Sequence, residues 1–204
     1  MEYKIIQSGS KGNCVIIDDV MVDCGVGMKA IKEHLYDVKY LLLTHTHSDH
    51  MKRPTLAGIR TFFPKIQILG NYEVHQYFPV DTIVNAGFDV VTDDYTFLPF
   101  ECEHPVLTYG FTWTSKDNEK LIYATDTASM SDAPKGPYDW VFLESNYDPK
   151  KIEQVKNNWS GRYNPYLSAT MTHLSTKQCK EFYFMNRRDK DSKLIELHKS
   201  SRFY

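Results

Sequence analysis

The sequence predicts a layered α/β protein, sheets within and helices outside, and three features lead there. Strand-like runs alternate with helical ones, each half of the chain places strands before helices, and no repeat, low-complexity tract or linker interrupts the 204 residues. At 42% hydrophobic, such a chain can bury a real core, so a single domain over 1–204 is expected without a disulfide scaffold.

The elements follow in order. YKIIQ, NCVIID and VMVDCG read as strands, with the polar SGSKGN turn after the first. VGMKAIKEHL is helical in pattern, and KYLLLTH is a strand apolar on both faces. MKRPTLAGIRTFF reads as a helix whose Pro54 fits the first turn, where a missing N–H costs little. After IQILG and a short helical NYEVHQYF come the strands YTFLPFECEH, VLTYGFTWTS, KLIYATD and DWVFLESN. PKKIEQVKNN and LSTKQCKEFYFMNRR read as helices, and KLIELH as a final strand.

Charge is unevenly placed. Residues 149–204 hold 12 Lys+Arg against 5 Asp+Glu, a net of +7, whereas residues 1–148 hold 12 against 21, a net of −9. A basic final quarter can meet phosphate, although solvated helix faces produce the same count. Arg162, Lys177, Lys180, Arg187 and Arg188 are the candidate phosphate contacts. Tyr163, Tyr166, Phe182, Tyr183 and Phe184 are candidate base-stacking residues, some of them better suited by spacing to a core. The four cysteines form no CxxC pair, no signal peptide opens the chain, and no run approaches the ~18 apolar residues of a membrane span. A cytosolic protein with reduced thiols and no membrane partner is expected.

The chemistry concentrates in LLLTHTHSDHMKR, where His45, His47, Asp49 and His50 fall within six positions at a strand end. On an extended chain His45 and His47 point the same way and can clasp one ion. A following turn lets Asp49 and His50 face a second. Imidazole and carboxylate without thiolate suit zinc or manganese.

HxHxDH at a strand end resembles the metallo-β-lactamase-fold hydrolases. SGSKGN, VDCG at 22–25, THTHSDH, ATDTA at 124–128 and LESNYD at 143–148 look like the YycJ/WalJ-like branch, whose described activity is exonuclease, and ribonuclease Z relatives share the later pattern. The resemblance implies a four-layer αββα sandwich holding two divalent ions, Zn or Mn. It implies that His45, His47 and His104 bind the first ion, Asp49 and His50 the second, and that Asp126 bridges both.

Two histidines compete for the remaining place. His198 follows a strand and is expected to close the second ion's site, while His173, in an HST-type motif expected to open a helix, stands just outside it as a catalytic residue beside Asp49 and Asp126. The reverse assignment stays open, because Lys199 and Ser200 follow His198 where those relatives show an aromatic and a serine. Asp23 is expected beneath the ions, orienting a ligand imidazole, with Ser10, Gly12 and Asn13 edging the same site. Tyr147 stands where relatives carry a histidine. The resulting expectation is a metal-dependent phosphodiesterase, foremost an exonuclease-like nuclease on DNA or RNA. The alternatives are a phosphodiesterase for small or cyclic nucleotides, and a non-catalytic binding protein on the same scaffold. Expected partners are the nucleic acid or nucleotide substrate and a second copy in a homodimer.

Overall fold

A computed structural model describes residues 1–156 and 164–204. In the first half, strands β1 (Tyr3–Gln7), β2 (Cys14–Ile17), β3 (Val20–Val22), β4 (Tyr40–Leu43), β5 (Gln67–Gly70) and β6 (Thr82–Ile83) line up in that order as one sheet. In the second, β7 (Val90–Val91), β8 (Thr96–Cys102), β9 (Thr108–Thr114), β10 (Lys120–Ala124), β11 (Trp140–Glu144) and β12 (Lys193–Leu197) form a sheet in the same sequential order. The two-residue β6 and β7 carry too little pattern to be read from sequence.

Alternation along the strands explains the layering. In β4, Tyr40 and Leu42 enter a cluster shared by both sheets, while Leu41 and Leu43 enter one with Leu56 and Ile59 of α2 (Arg53–Phe62). In β10 and β11, Leu121, Tyr123 and Phe142 face the first sheet, and Ile122, Val141 and Leu143 face Cys179 and Phe182 of α6 (Thr176–Asn186). Each strand is therefore apolar on both faces, and each fully buried Leu or Phe stabilises by about 1.5–3 kcal/mol. Helices α1 (Met28–Ile31), α2 and α3 (Tyr72–Tyr77) cover one outer face, and α6 covers the other. The result is the four-layer αββα sandwich.

Helices α4 (Pro149–Lys156) and α5 (Pro165–Thr172) carry a small separate cluster of Tyr147, Ile152, Ala169 and Phe203. Helix α5 is a correction to the sequence reading, which assigned no helix there. His173 closes α5 as its C-cap, and α6 starts afresh from Ser175, whose side chain makes a capping box with Gln178. Among the described residues no helix is long and apolar enough to cross a membrane.

Strand direction gathers the chemistry at one edge. Strands β3 and β4 are parallel, as are β10, β11 and β12, and β8 runs with them because two antiparallel pairings separate it from β10. Their carboxyl ends deliver Asp23, His45, His104, Asp126, Glu144 and His198. Strand β2 runs the other way, so its amino end brings Asn13 to the same edge. Open α/β sheets place ligand sites at such carboxyl ends.

Candidate metal centre

Asp23, Asp126 and His198 each follow a strand with a positive φ, of 60°, 54° and 50°. Left-handed backbone is uncommon outside glycine, though Asp and His enter it more readily than most. Here it turns the chain sharply off the strand end, and such outliers cluster where a fold holds side chains in place.

Asp23, wholly buried, accepts hydrogen bonds from the Thr44 amide (2.9 Å) and hydroxyl (2.9 Å), and from His50 Nδ1 (2.7 Å). With the Thr44 hydroxyl donating to Asp23, its oxygen accepts from His45 Nδ1 at 2.9 Å. One carboxylate thus orients two imidazoles, one directly and one through the Thr44 hydroxyl, and turns both Nε2 atoms toward the site. Asp23→Asn, nearly isosteric, is expected to keep the fold and weaken metal affinity about 10–100-fold, measured by titration against a chelator.

The loop carrying Asp49 is laced to the first turn. The Asn13 amide donates to Asp49 O (2.6 Å), and the Gly25 amide donates to Asn13 O (2.9 Å). A Cβ on Gly25 would lie 1.6 Å from Asp49 O, so only glycine lets these segments meet.

Asp126 is the centre of the arrangement. Its Oδ2 lies 2.9 Å from His50 Nε2 and 3.3 Å from His45 Nε2, and its Oδ1 lies 3.2 Å from His198 Nε2 and 3.5 Å from His173 Nδ1. Burial works against its charge, but the imidazoles of His198 and His50 outweigh it and hold the carboxyl well below the usual range. Three sets of ligand atoms converge within 4.8 Å: His45, His47, His104 and Asp126; Asp49, His50 and His198; and Asp126, Glu144, His173 and His198. The first set joins Asp126 to the three histidines expected at one ion, the second holds Asp49, His50 and His198 without Asp126, and the third places His198 beside His173 and Glu144.

These donors fit cations. His47 Nδ1 lies 3.0 Å from His45 Nε2 and 3.3 Å from His104 Nε2, so three ring nitrogens stand close enough together to share one cation. Asp126 Oδ1 and His198 Nε2 are buried with no hydrogen-bond partner among the described residues, and such orphans call for an explanation in a folded protein. Burial pushes the His104 imidazole down to about 4 and lowers that of His45, which keeps both neutral and able to ligate.

Glu144 is the residue the sequence reading did not single out, although it stands inside LESNYD. It is wholly buried, accepts a hydrogen bond from the Thr127 amide at 2.5 Å, and lies 2.9 Å from His173 Nδ1. Burial disfavours a charged His173, yet Glu144 outweighs it and raises the pKa. The turn is pinned where this pairing needs it: Asn146 N donates to Leu174 O (2.9 Å) and Thr176 N to Tyr147 O (2.9 Å). No local motif announces a buried acid at the end of an apolar strand.

The family model for the beta-lactamase superfamily domain matches residues 19–185. The chain belongs to the beta-lactamase superfamily. Among curated relatives, exodeoxyribonuclease YycJ of Bacillus anthracis is 28% identical over 185 residues, covering 78% of this chain and 68% of that one. Human tRNase Z, short form, superposes with a TM-score of 0.71 at 14% identity, covering 99% of this chain and 93% of that one. A diphosphatase from the PhnP family superposes at 0.68 and 16%, covering 98% and 87%. The shared architecture is the metallo-β-lactamase fold.

Within this superfamily site, Asp49 is partly exposed and His45 and His50 are fully buried. Tyr147 is buried in the α4–α5 cluster, where its ring packs with Ile152, Ala169 and Phe203. The proposed phosphate contacts fare differently. Arg188 is paired with Asp139 (2.5 Å), just before β11 and hence at the sheet edge opposite the site. Arg187 lies over the rings of Tyr183 and Phe184 at that same end of α6. Phe182 and Tyr183 belong to the core, Phe184 is exposed beside Arg187, and Tyr166 packs on the α4–α5 cluster. Lys177 and Lys180 are exposed in the first half of α6, nearer the site. Arg162 and Tyr163 lie outside the described residues.

A pH test follows from His104. Its folded pKa, about 4, lies below the ordinary 6.5, so the folded state binds fewer protons between those values than the unfolded state does. The destabilisation is absent above 6.5 and grows as pH falls toward 4. Chelator-stripped protein is expected to lose stability across that window relative to His104→Asn, measured by denaturant unfolding at either end.

Proposed function

We propose that the protein is a metal-dependent phosphodiesterase with a dinuclear centre, acting foremost as a nuclease on DNA or RNA. The observation that carries this reading is the Asp126 carboxylate, one oxygen facing His45 and His50 and the other facing His198 and His173. His45, His47 and His104 would hold one ion, Asp49, His50 and His198 the other, with Asp126 shared. Bound there, a pair of divalent ions supplies positive charge against the phosphoryl oxygens and acidifies water near neutral pH.

The chain's own groups do the rest. Asp23 holds the His45 and His50 rings so that Nε2 faces inward. Asp49, held below the usual carboxylate range by His198 and His50 against the effect of burial, stays ionised and accepts a proton from the attacking water. Glu144 orients His173 and favours its cationic form, which offers an Nε2 proton to the departing oxygen. Phosphodiester chemistry is favoured by this extra His–Glu pair and by kinship with a curated exodeoxyribonuclease. Likeness in fold to a PhnP-family diphosphatase keeps small and cyclic nucleotides as the second reading.

Purified protein loaded with Mn or Zn is expected to shorten end-labelled DNA or RNA, with rates falling steeply as salt rises. Hydrolysis confined to cyclic nucleotides, with little salt dependence, selects the second reading. Metal uptake with no diester hydrolysis overturns both and leaves a binding protein.

A further inference from the structure

A cavity of about 460 Å³ opens beside His173 and His198, within the size range that encloses a drug-sized ligand, to which one nucleotide belongs. Its walls are the first turn, helix α5 and the tail after β12, and no carboxylate lines it among the described residues. Three cationic residues do: Lys11, Lys199 and Arg202, and Ser10, Ser200 and Ser201 line it with them. Lys199 lies 3.8 Å from Glu196 and over the Tyr204 ring. Lys11 and Arg202 carry no side-chain ion pair among the described residues.

The frame under these cations is fixed. Ser200 N donates to Asn146 O (2.8 Å), Asp148 N donates to Phe203 O (2.6 Å), and Phe203 is buried against Tyr147, Ile152 and Ala169. Gly9 and Asn13 close the first turn by hydrogen bonds in both directions, from Gly9 N to Asn13 Oδ1 (2.8 Å) and from Asn13 Nδ2 to Gly9 O (3.2 Å). Cations on a set frame lose less freedom on binding an anion than cations on a loose one.

Position decides what enters. The cavity is lined by His173 and His198 and not by His45, His47 or His104, which places it on the flank of Asp126 that bears His173. If His173 protonates the departing oxygen, whatever that oxygen is attached to lies on this side. Resting on the proposed diesterase reading, we infer that the cavity receives the leaving-group nucleotide and grips a terminal phosphate carried by it, through Lys11, Arg202 and Lys199. A phosphomonoester suits such a set, because its several oxygens accept from a guanidinium, ammonium groups and hydroxyls together.

The test uses the full chain with Mn and three thymidine dinucleotides: hydroxyls at both ends, a 5′ phosphate, or a 3′ phosphate. One phosphorylated form is expected to exceed the unphosphorylated one in kcat/KM by about tenfold or more, and which form it is gives the polarity. Lys11→Ala and Arg202→Ala are expected to collapse that ratio toward one. Lys65→Ala, in the turn between α2 and β5 and outside the cavity lining, should retain it. Metal-stripped protein should likewise bind thymidine monophosphate more tightly than thymidine by calorimetry, and lose the difference in the same two variants. Equal turnover of all three dinucleotides, or a preference that survives both variants, overturns the inference. Bis(p-nitrophenyl) phosphate, which has no second phosphate, separates the two claims. If wild type hydrolyses it without discriminating among dinucleotides, only the phosphate grip fails; if wild type leaves it intact, the diesterase reading fails and takes the inference with it.

Discussion

Asp126→Ala is expected to strip both ion sites and to lower turnover by about a thousandfold or more, the loss of roughly 4 kcal/mol of transition-state stabilisation. The reason is geometric. One carboxylate stands between the imidazoles of His45 and His50 and that of His198, so its removal would take a ligand from each proposed site at once. It also removes the charge that offsets a cluster of nitrogens. Burial disfavours a charged His50, and Asp126 with Asp23 outweighs it and raises the pKa. Without Asp126 that balance tips toward the neutral ring. Elemental analysis after dialysis against Mn or Zn, with circular dichroism to confirm folding, measures the outcome. A folded variant holding two ions per chain and turning over at the parental rate would remove the basis for a shared carboxylate.

The second large effect separates the two competing histidines. His198→Ala should empty the site shared with Asp49 and His50, whereas His173→Ala should keep both ions and lose about 10²–10⁴ in rate, the usual range for a general acid. Glu144→Gln should lose about 10–100-fold and keep the ions, because it acts through His173. Its distinguishing readout is the pH profile. A general acid must carry its proton, so rate falls as pH rises through the pKa of His173. Glu144 raises that pKa against burial, and its replacement should move the alkaline limb to lower pH. A limb that stays in place assigns Glu144 to packing alone. Ions lost from His173→Ala but retained in His198→Ala would exchange the two roles.

The sequence made much of this legible because the decisive groups are local. His45, His47, Asp49 and His50 occupy six positions after an apolar strand, and their spacing alone implies convergence. Asp126 and His198 were legible only through the resemblance of ATDTA and LHKSSRFY to family motifs, because a place after a strand, which Glu144 shares, announces nothing by itself. Helix α5 was hidden because PYLSATMT lacks a clear apolar stripe, and its start depends on the Asn164 side chain accepting from the Tyr166 amide. The basic count after residue 149 pointed to phosphate, yet it could not distinguish Arg188, spent on Asp139, from Arg202, which edges the site.

By itself the sequence determined the family, the alternating layers and the residue types of the metal centre, because periodicity and short-range spacing are properties of the chain. Only the tertiary structure decided which histidine stands with Asp49, that Glu144 backs His173, and which cations share a cavity. Those relations join residues tens to nearly two hundred positions apart, and they exist only once parallel strands bring their carboxyl ends to one edge.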